Sequence, residues 1–130
     1  MTPYRIISSD SHVFEPADLW TTRIDAAFRD HCPRVIREGM YDHWVVEDGK
    51  KVGSIGLVSQ AGVRFEDPEK ITFAGSFEHV RPGGWDPHEH VKDMEIEGVS
   101  AGVLYPSNGL FFFRIPDSAL LSAICRAYND

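Results

Sequence analysis

Long apolar runs and clusters of basic residues are both missing from this 130-residue sequence. The longest apolar runs, such as residues 110–113, are far too short to cross a bilayer, and no basic N-terminal region precedes a long one. The formal net charge of −7 argues against nucleic acid and against an anionic membrane surface as partners. We therefore expect a cytoplasmic protein that binds a small molecule or another protein.

Cysteine is also scarce. Cys32 and Cys125 lie far apart and form no CxxC pattern, which argues against a disulfide framework and against a thiolate zinc site. We expect both to be buried or half-buried thiols. The remaining composition, 42% hydrophobic and 25% charged, is ordinary for one globular domain, here taken as residues 1–130.

Two short apolar segments predict strands of a parallel sheet. Residues 4–10 (YRIISSD) and 101–106 (AGVLYP) have the length and composition of buried strands. Helices are predicted over residues 22–30, from Pro87 to Gly98 with Asp86 as N-cap and Val91 facing inward, and after Asp117. Apolar strands separated by capped helices favour α/β architecture with parallel strands.

Residues 34–85 predict a small antiparallel insertion after the first strand. Apolar residues 44–46 and 52–58 flank an Asp48-Gly49 pair, which is a strong hairpin signal. The last helix has no stop signal before Asp130, so the domain is expected to be truncated. Two parallel strands cannot close a sheet, and an apolar surface should stay open unless another chain covers it.

Asp10 and His12, in the stretch SSDSHVFEP, are the leading candidates for metal ligands. Residues i and i+2 of a strand point to the same side, so the carboxylate and the imidazole can approach one cation. The alternative is that Asp10 caps a loop while His12 makes an interior hydrogen bond. The pair is too short a motif to decide between these interpretations.

Other histidines are weaker candidates. His88 and His90 match an H-x-H pattern, but positions i and i+2 of a helix diverge by about 200°. His31, His43 and His79 lack a partner at ligand spacing, although His43 and His79 flank the predicted insertion and could line a pocket.

Two further features have competing interpretations. Glu15 is either a general acid or base near the metal or a structural residue that helps to start the helix at Pro16, and we favour the structural role. Residues 111–113, three consecutive phenylalanines, either face a ligand or pack in a core or covered interface.

Several motifs in one order resemble the N-terminal part of the amidohydrolase-related proteins, similar to aminocarboxymuconate semialdehyde decarboxylase and the resorcylate decarboxylases. They are ISSDSHVFEPADLW at residues 7–20, RPGGWDP at 81–87, KDM and EGV at 92–94 and 97–99, VLYP at 103–106 and CRAYND at 125–130. The resemblance covers nearly the whole chain but about the first third of such a protein.

The resemblance implies the N-terminal part of a (β/α)₈ TIM barrel with a divalent metal, Zn²⁺ or Mn²⁺, at the carboxyl ends of the strands. Asp10 and His12 would then be ligands from the first strand. Metal-activated water would drive hydrolysis or non-oxidative decarboxylation of a small carboxylated or cyclic substrate. The histidine and aspartate ligands that the family has after its fifth and eighth strands have no counterpart here, so the metal site is expected to be incomplete.

Position after the second barrel strand makes Tyr105, Ser107 and Asn108 candidate substrate contacts. The alternative is a loop that only turns the chain into the next helix. A catalytic residue is not assigned. The isolated chain is expected to be inactive and to bind metal weakly. The alternative is a non-catalytic binding or assembly module, or one half of a split enzyme, that pairs as a homo-oligomer or with a complementary chain.

Overall fold

The computed structural model describes residues 4–47, 49–58, 60, 67–72 and 75–130. Within them, five strands form a two-stranded parallel sheet and a three-stranded antiparallel sheet. The strands are β1 (Ile6–Val13), β2 (Arg34–Glu38), β3 (Tyr41–Val46), β4 (Lys50–Ser54) and β5 (Val99–Pro106). The α-helices are α1 (Leu19–Arg23), α2 (Ile55–Val58), α3 (Pro87–Glu97) and α4 (Ser118–Asn129). Short 3₁₀ helices lie at Ala26–Phe28, Pro68–Lys70, Phe77–His79, Pro82–Gly84 and Gly109–Arg114.

Strands β1 and β5 pair in parallel, which confirms the predicted α/β character of the chain. Strand β1 begins two residues later and ends three residues later than the predicted 4–10, so the candidate ligands lie inside the strand. Strand β5 begins two residues before the predicted 101–106. The expectation that both strands are buried is wrong for this chain: Ile7 is 66% exposed and Val103 is 47% exposed. Parallel strands become buried when both faces are covered, and the described residues leave much of this sheet open.

The antiparallel sheet has the order β2-β3-β4 and confirms the expected antiparallel element. The amide of Gly49 donates to the carbonyl of Val46 at 3.2 Å, and its φ of 92° is one that glycine adopts readily. Asp48, the other half of the predicted turn pair, lies outside the described residues. The prediction of a strand over residues 52–58 is wrong in its second half, because the chain enters α2 at Ile55.

Helix α3 begins and ends where its capping residues predict. The Asp86 carboxylate accepts from the amides of the second and third helical residues, and Gly98 closes the helix in the left-handed conformation with φ 72°. Asp117 caps α4 in the same way. Val91 lines an open pocket with Val13 and Leu104 of the parallel pair, so it faces the sheet, but its side chain is 53% exposed.

The predicted helix over residues 22–30 is replaced by α1 and a 3₁₀ turn. Ile24 adopts an extended conformation with ψ 151° and separates the two. The hydroxyls of Thr21 and Thr22 both donate to the carbonyl of Asp18, a local interaction that competes with a regular helix.

The core lies between α1, the antiparallel sheet and α4. Trp20 makes edge contacts with Trp44 and Phe112, with ring centroids 5.2 and 4.9 Å apart, and its indole N–H donates to the Ile124 carbonyl at 3.1 Å. Such aromatic burial is a large part of the energy that holds a small domain together. Phe112 is buried, so the core interpretation holds for this residue, whereas its neighbours Phe111 and Phe113 are exposed.

The two cysteines differ in environment. Cys32 is buried, as predicted, and burial raises the pKa of its thiol. Cys125 is exposed, so the expectation of a buried or half-buried thiol there is wrong. Its position on an outward face of α4 explains the difference, because the inward face of that helix is formed by Leu120, Ala123, Ile124 and Ala127.

Among the described residues, no helix has both the length and the apolar character required to cross a membrane.

Candidate functional site

Asp10 and His12 lie together in the second half of β1. The Oδ1 atom of Asp10 is 3.3 Å from the Nε2 atom of His12, so both side chains are on one side of the strand. The side chain of Asp10 is 78% exposed and that of His12 is 40% exposed. The pair is therefore accessible to a solvent-borne ion or ligand.

An irregularity in the parallel pairing, between Ser8 and Ser11, includes Asp10. Ser8 pairs with Gly102 and Ser11 with Leu104, so three residues of β1 span the distance of two residues of β5. The Ser11 hydroxyl donates to the Ser8 hydroxyl at 2.7 Å, which places these two residues on the same side. In a regular strand Ser8 would instead share a side with Asp10. The bulge thus changes which residues of β1 accompany the candidate ligands, as bulges next to functional sites commonly do.

The imidazole of His12 is oriented from β5. Its Nδ1 atom lies 3.1 Å from the carbonyl oxygen of Pro106. A carbonyl can accept but not donate, so we assign the proton to Nδ1. In the neutral ring this leaves a lone pair on Nε2, directed toward the Asp10 carboxylate.

Two lone-pair acceptors at 3.3 Å repel each other unless a proton or a cation lies between or beside them. One nitrogen and one oxygen donor suit Zn²⁺ or Mn²⁺. The residues present therefore fit one edge of a metal site. No group of three histidine, cysteine, aspartate or glutamate side chains that could hold a metal occurs in the described part of the chain.

Tyr105 lies inside β5 and not after it as expected, whereas Ser107 follows the end of that strand. Tyr105 pairs with His12 across the sheet, and the two ring centroids are 6.0 Å apart. The Ser107 amide donates to the Val13 carbonyl at 3.1 Å and continues the pairing beyond β5. Their role as substrate contacts stays a prediction.

Asn108 and Glu15 form a buried contact that the sequence did not indicate. Glu15 is 1% exposed and Asn108 is 2% exposed. The Asn108 backbone amide and side-chain Nδ2 donate to Glu15 at 3.0 and 2.9 Å, and the Gly109 amide donates at 2.8 Å. Glu15 thus has a structural role, but not the predicted one: α1 begins at Leu19 and not at Pro16, and the Glu15 carboxylate instead bonds the loop after β5. The side-chain amide of Asn108 is buried and bonded to Glu15, and its role as a substrate contact stays a prediction.

The charge of Glu15 acts on one neighbour. Burial, with a smaller contribution from the Glu15 carboxylate, raises the pKa of Tyr128 on α4.

A separation of 93 residues between Glu15 and Asn108 explains why no local sequence signal identified their contact.

His88 and His90 occupy the first turn of α3, as predicted, and have separate environments. The Nδ1 atom of His90 is 2.8 Å from the Gly83 carbonyl, which ties the helix to the preceding 3₁₀ turn. His88 contributes its backbone amide to the Asp86 cap.

His43 and His79 have local partners near the insertion. The His43 ring stacks on Tyr41 with centroids 6.1 Å apart. The Nδ1 atom of His79 is 2.8 Å from the Ser76 hydroxyl. Neither belongs to a cluster of three ligand-type side chains among the described residues.

An open groove of about 440 Å³ lies between β1 and α3 and reaches His12. Its polar wall includes Arg81 and Asp93, whose Nε and Oδ2 atoms are 2.8 Å apart. Hydrogen bonding to the Arg81 guanidinium lowers the pKa of Asp93. A Cβ atom at Gly83 would overlap the Asp93 carboxylate, so a glycine is required for this close approach.

These features describe a mixed α/β chain with a histidine and a carboxylate together near the carboxyl end of a parallel strand. No protein-family model and no curated protein matches the chain. Among solved structures, it is similar to the crystal structure of an amidohydrolase from Mycobacterium avium subsp. paratuberculosis K-10, with a TM-score of 0.69 and 17% sequence identity. The match covers 99% of this chain and 38% of that protein. The chain thus has the fold of part of an amidohydrolase.

Proposed function

We propose that this chain provides the first part of a metal-dependent amidohydrolase-like enzyme, of the branch that contains aminocarboxymuconate semialdehyde decarboxylase and the resorcylate decarboxylases. The observation that carries the proposal is the 3.3 Å approach of Asp10 Oδ1 and His12 Nε2 in the second half of a parallel strand. The structural likeness to part of an amidohydrolase supports it.

In this proposal β1 and β5 are neighbouring strands of a (β/α)₈ barrel, and the antiparallel sheet is an insertion between them. Active sites of such barrels lie at the carboxyl ends of the strands. Asp10, His12 and Tyr105 all lie in the carboxyl-terminal halves of their strands. Their positions therefore suit a shared site.

Each residue has a definite task. Asp10 would supply an oxygen and His12 a ring nitrogen to a Zn²⁺ or Mn²⁺ ion, while the Pro106 carbonyl holds the imidazole in its Nδ1-protonated form. When bound, the metal would polarise a small carboxylated or cyclic substrate and activate water for hydrolysis or decarboxylation. Tyr105 would contact the substrate, which its pairing with His12 on the neighbouring strand supports.

Two ligands are fewer than the three that a catalytic zinc site takes from protein. The remaining ligands would come from further polypeptide, either a complementary chain or another copy of this one. The 130-residue chain alone is therefore expected to bind metal weakly and to lack activity.

The test is elemental analysis of the purified 130-residue chain with native mass spectrometry and a Mn²⁺ titration. We expect weak binding that His12→Ala and Asp10→Asn abolish. His88→Ala is the matched control, because it removes a histidine from a helical turn outside the proposed site. Binding unaffected by His12→Ala, or tight stoichiometric metal in a monomer, would contradict the proposal.

A non-catalytic assembly module is the second candidate. The observation that favours it is the exposed apolar surface of the parallel pair, where Ile6, Ile7, Val103 and Leu104 are each about half exposed or more. An obligate dimer without metal in the same native mass measurement would support this function and count against the enzyme.

A further inference from the structure

The Glu15 carboxylate joins the two loops that follow β1 and β5. It is nearly fully buried and accepts three hydrogen bonds from Asn108 and Gly109. Glu15 lies two residues beyond the end of β1, and Asn108 lies two residues beyond the end of β5. A buried carboxylate persists when hydrogen-bond donors replace the water that it has lost, and these donors meet that requirement.

This contact lies next to the group that orients His12. A Cβ atom at Gly109 would be 2.8 Å from the Cβ of Pro106 and 3.3 Å from Oε1 of Glu15. The backbone at Gly109 is therefore packed directly against both residues. Gly109 thus contacts the ring of Pro106, and the carbonyl of the same residue accepts from His12 Nδ1.

We propose that Glu15 is a positioning residue for the candidate metal site: by holding Asn108 and Gly109 it fixes the Pro106 carbonyl and, through it, the tautomer and direction of His12. The inference rests on the proposed function in so far as it treats His12 as a ligand. Mutation of a group that hydrogen-bonds the second ring nitrogen of a ligating histidine typically weakens metal binding by about 10- to 100-fold.

The competing explanation is that β-sheet pairing alone holds Pro106. Val13 pairs with Pro106, and the Val13 carbonyl accepts from the Ser107 amide at 3.1 Å. In that case Glu15 would stabilise the fold without influencing His12. The experiment must therefore report on the imidazole itself and not on stability alone.

The experiment is long-range ¹H–¹⁵N NMR of the histidine rings in the complete 130-residue chain. We expect the Nδ1-protonated tautomer of His12 in the wild type. Glu15→Gln keeps the shape of the side chain but replaces one acceptor oxygen with an NH₂ group that faces N–H donors. The loop at Asn108 and Gly109 should then hold the Pro106 carbonyl less firmly. The His12 tautomer population should therefore shift toward the Nε2-protonated form. In a parallel titration the variant should bind Mn²⁺ about tenfold more weakly.

Asp42→Asn is the matched control, because Asp42 is also a buried carboxylate that accepts from a backbone amide, that of Phe77 at 2.8 Å. It should lower stability and leave the His12 resonances unchanged. Asn108→Ala is a milder second variant that removes one donor and keeps both backbone amides, and it decides the question if Glu15→Gln does not fold. We expect a smaller shift in the same direction.

The outcomes separate the two proposals. An unchanged His12 tautomer in a folded Glu15 or Asn108 variant would overturn the positioning role, whatever the metal result. A shifted tautomer in a chain whose wild type binds no Mn²⁺ would support the positioning role and count against the proposed enzyme.

Discussion

The antiparallel sheet and the parallel pair differ most in what covers them. In β3, the consecutive residues Trp44, Val45 and Val46 are each at most 2% exposed. In β1, Ile6 and Ile7 are 53% and 66% exposed. The inserted sheet is thus the better-packed part of this chain, whereas the strands that carry the candidate site are largely open.

This difference separates the best-packed part of the chain from the candidate site. The antiparallel sheet packs against α1 and α4, which this chain supplies itself. The parallel pair needs cover on both faces to be buried. The candidate metal ligands therefore lie in the region that the described residues leave least covered.

Two isoleucine-to-alanine variants, one in the core and one on the parallel pair, should differ most in their loss of unfolding free energy. Ile24→Ala in the core, where the side chain is 2% exposed, should lower the free energy of unfolding by about 3 kcal/mol. Ile7→Ala on the parallel pair should change it by about 0.5 kcal/mol or less. Urea unfolding of both variants measures the difference. Equal losses would show that the open face is covered in solution, for example by self-association.

Two Arg–Asp pairs, one within the antiparallel sheet and one that joins α3 to the preceding 3₁₀ turn, should show an intermediate loss of stability when they are broken. Arg37 donates to both oxygens of the buried Asp42, and Arg81 does so to the more accessible Asp93. Asp42→Asn should cost about 2 kcal/mol near pH 7, the scale of hydrogen bonds to a charged group. Asp93→Asn should cost less, because solvent screens its pair.

The same variants predict a pH dependence. Hydrogen bonding to Arg37 lowers the pKa of Asp42, so its stabilisation is complete above the ordinary carboxyl pKa and is lost as pH falls through the lowered value. The difference between wild type and Asp42→Asn should therefore shrink below about pH 4. Denaturant unfolding between pH 7 and pH 2 measures it, and a constant difference would contradict this assignment.

The smallest expected effect concerns the helix caps. Asp117→Ala should lower the free energy of unfolding by about 1 kcal/mol, because α4 belongs to the core and its cap bonds two amides. Asp86→Ala removes the equivalent cap of α3, which packs against the parallel pair. We expect hydrogen exchange to show faster exchange within α3 and a smaller change in global unfolding. Similar global losses would show that both regions unfold as one unit.

Interactions between residues close in the sequence allowed several features to be predicted. The caps at Asp86 and Asp117 and the stop at Gly98 depend on residues within one turn, so they are readable from the sequence. The approach of Asp10 and His12 follows from strand alternation within three residues. Predictions failed where packing decided, as in the exposure of Ile7.

The amino-acid sequence by itself determined the main strands and capped helices, the hairpin turn at Gly49 and the pairing of a carboxylate with an imidazole in β1. Tertiary structure alone decided the bulge between Ser8 and Ser11, the Pro106 contact that orients His12 and the enclosure of Glu15 by Asn108. The physical reason is the sequence separation over which each interaction acts. Capping and strand alternation are set by neighbours along the chain. Burial and the choice of a hydrogen-bond partner 93 residues away depend on how the elements pack.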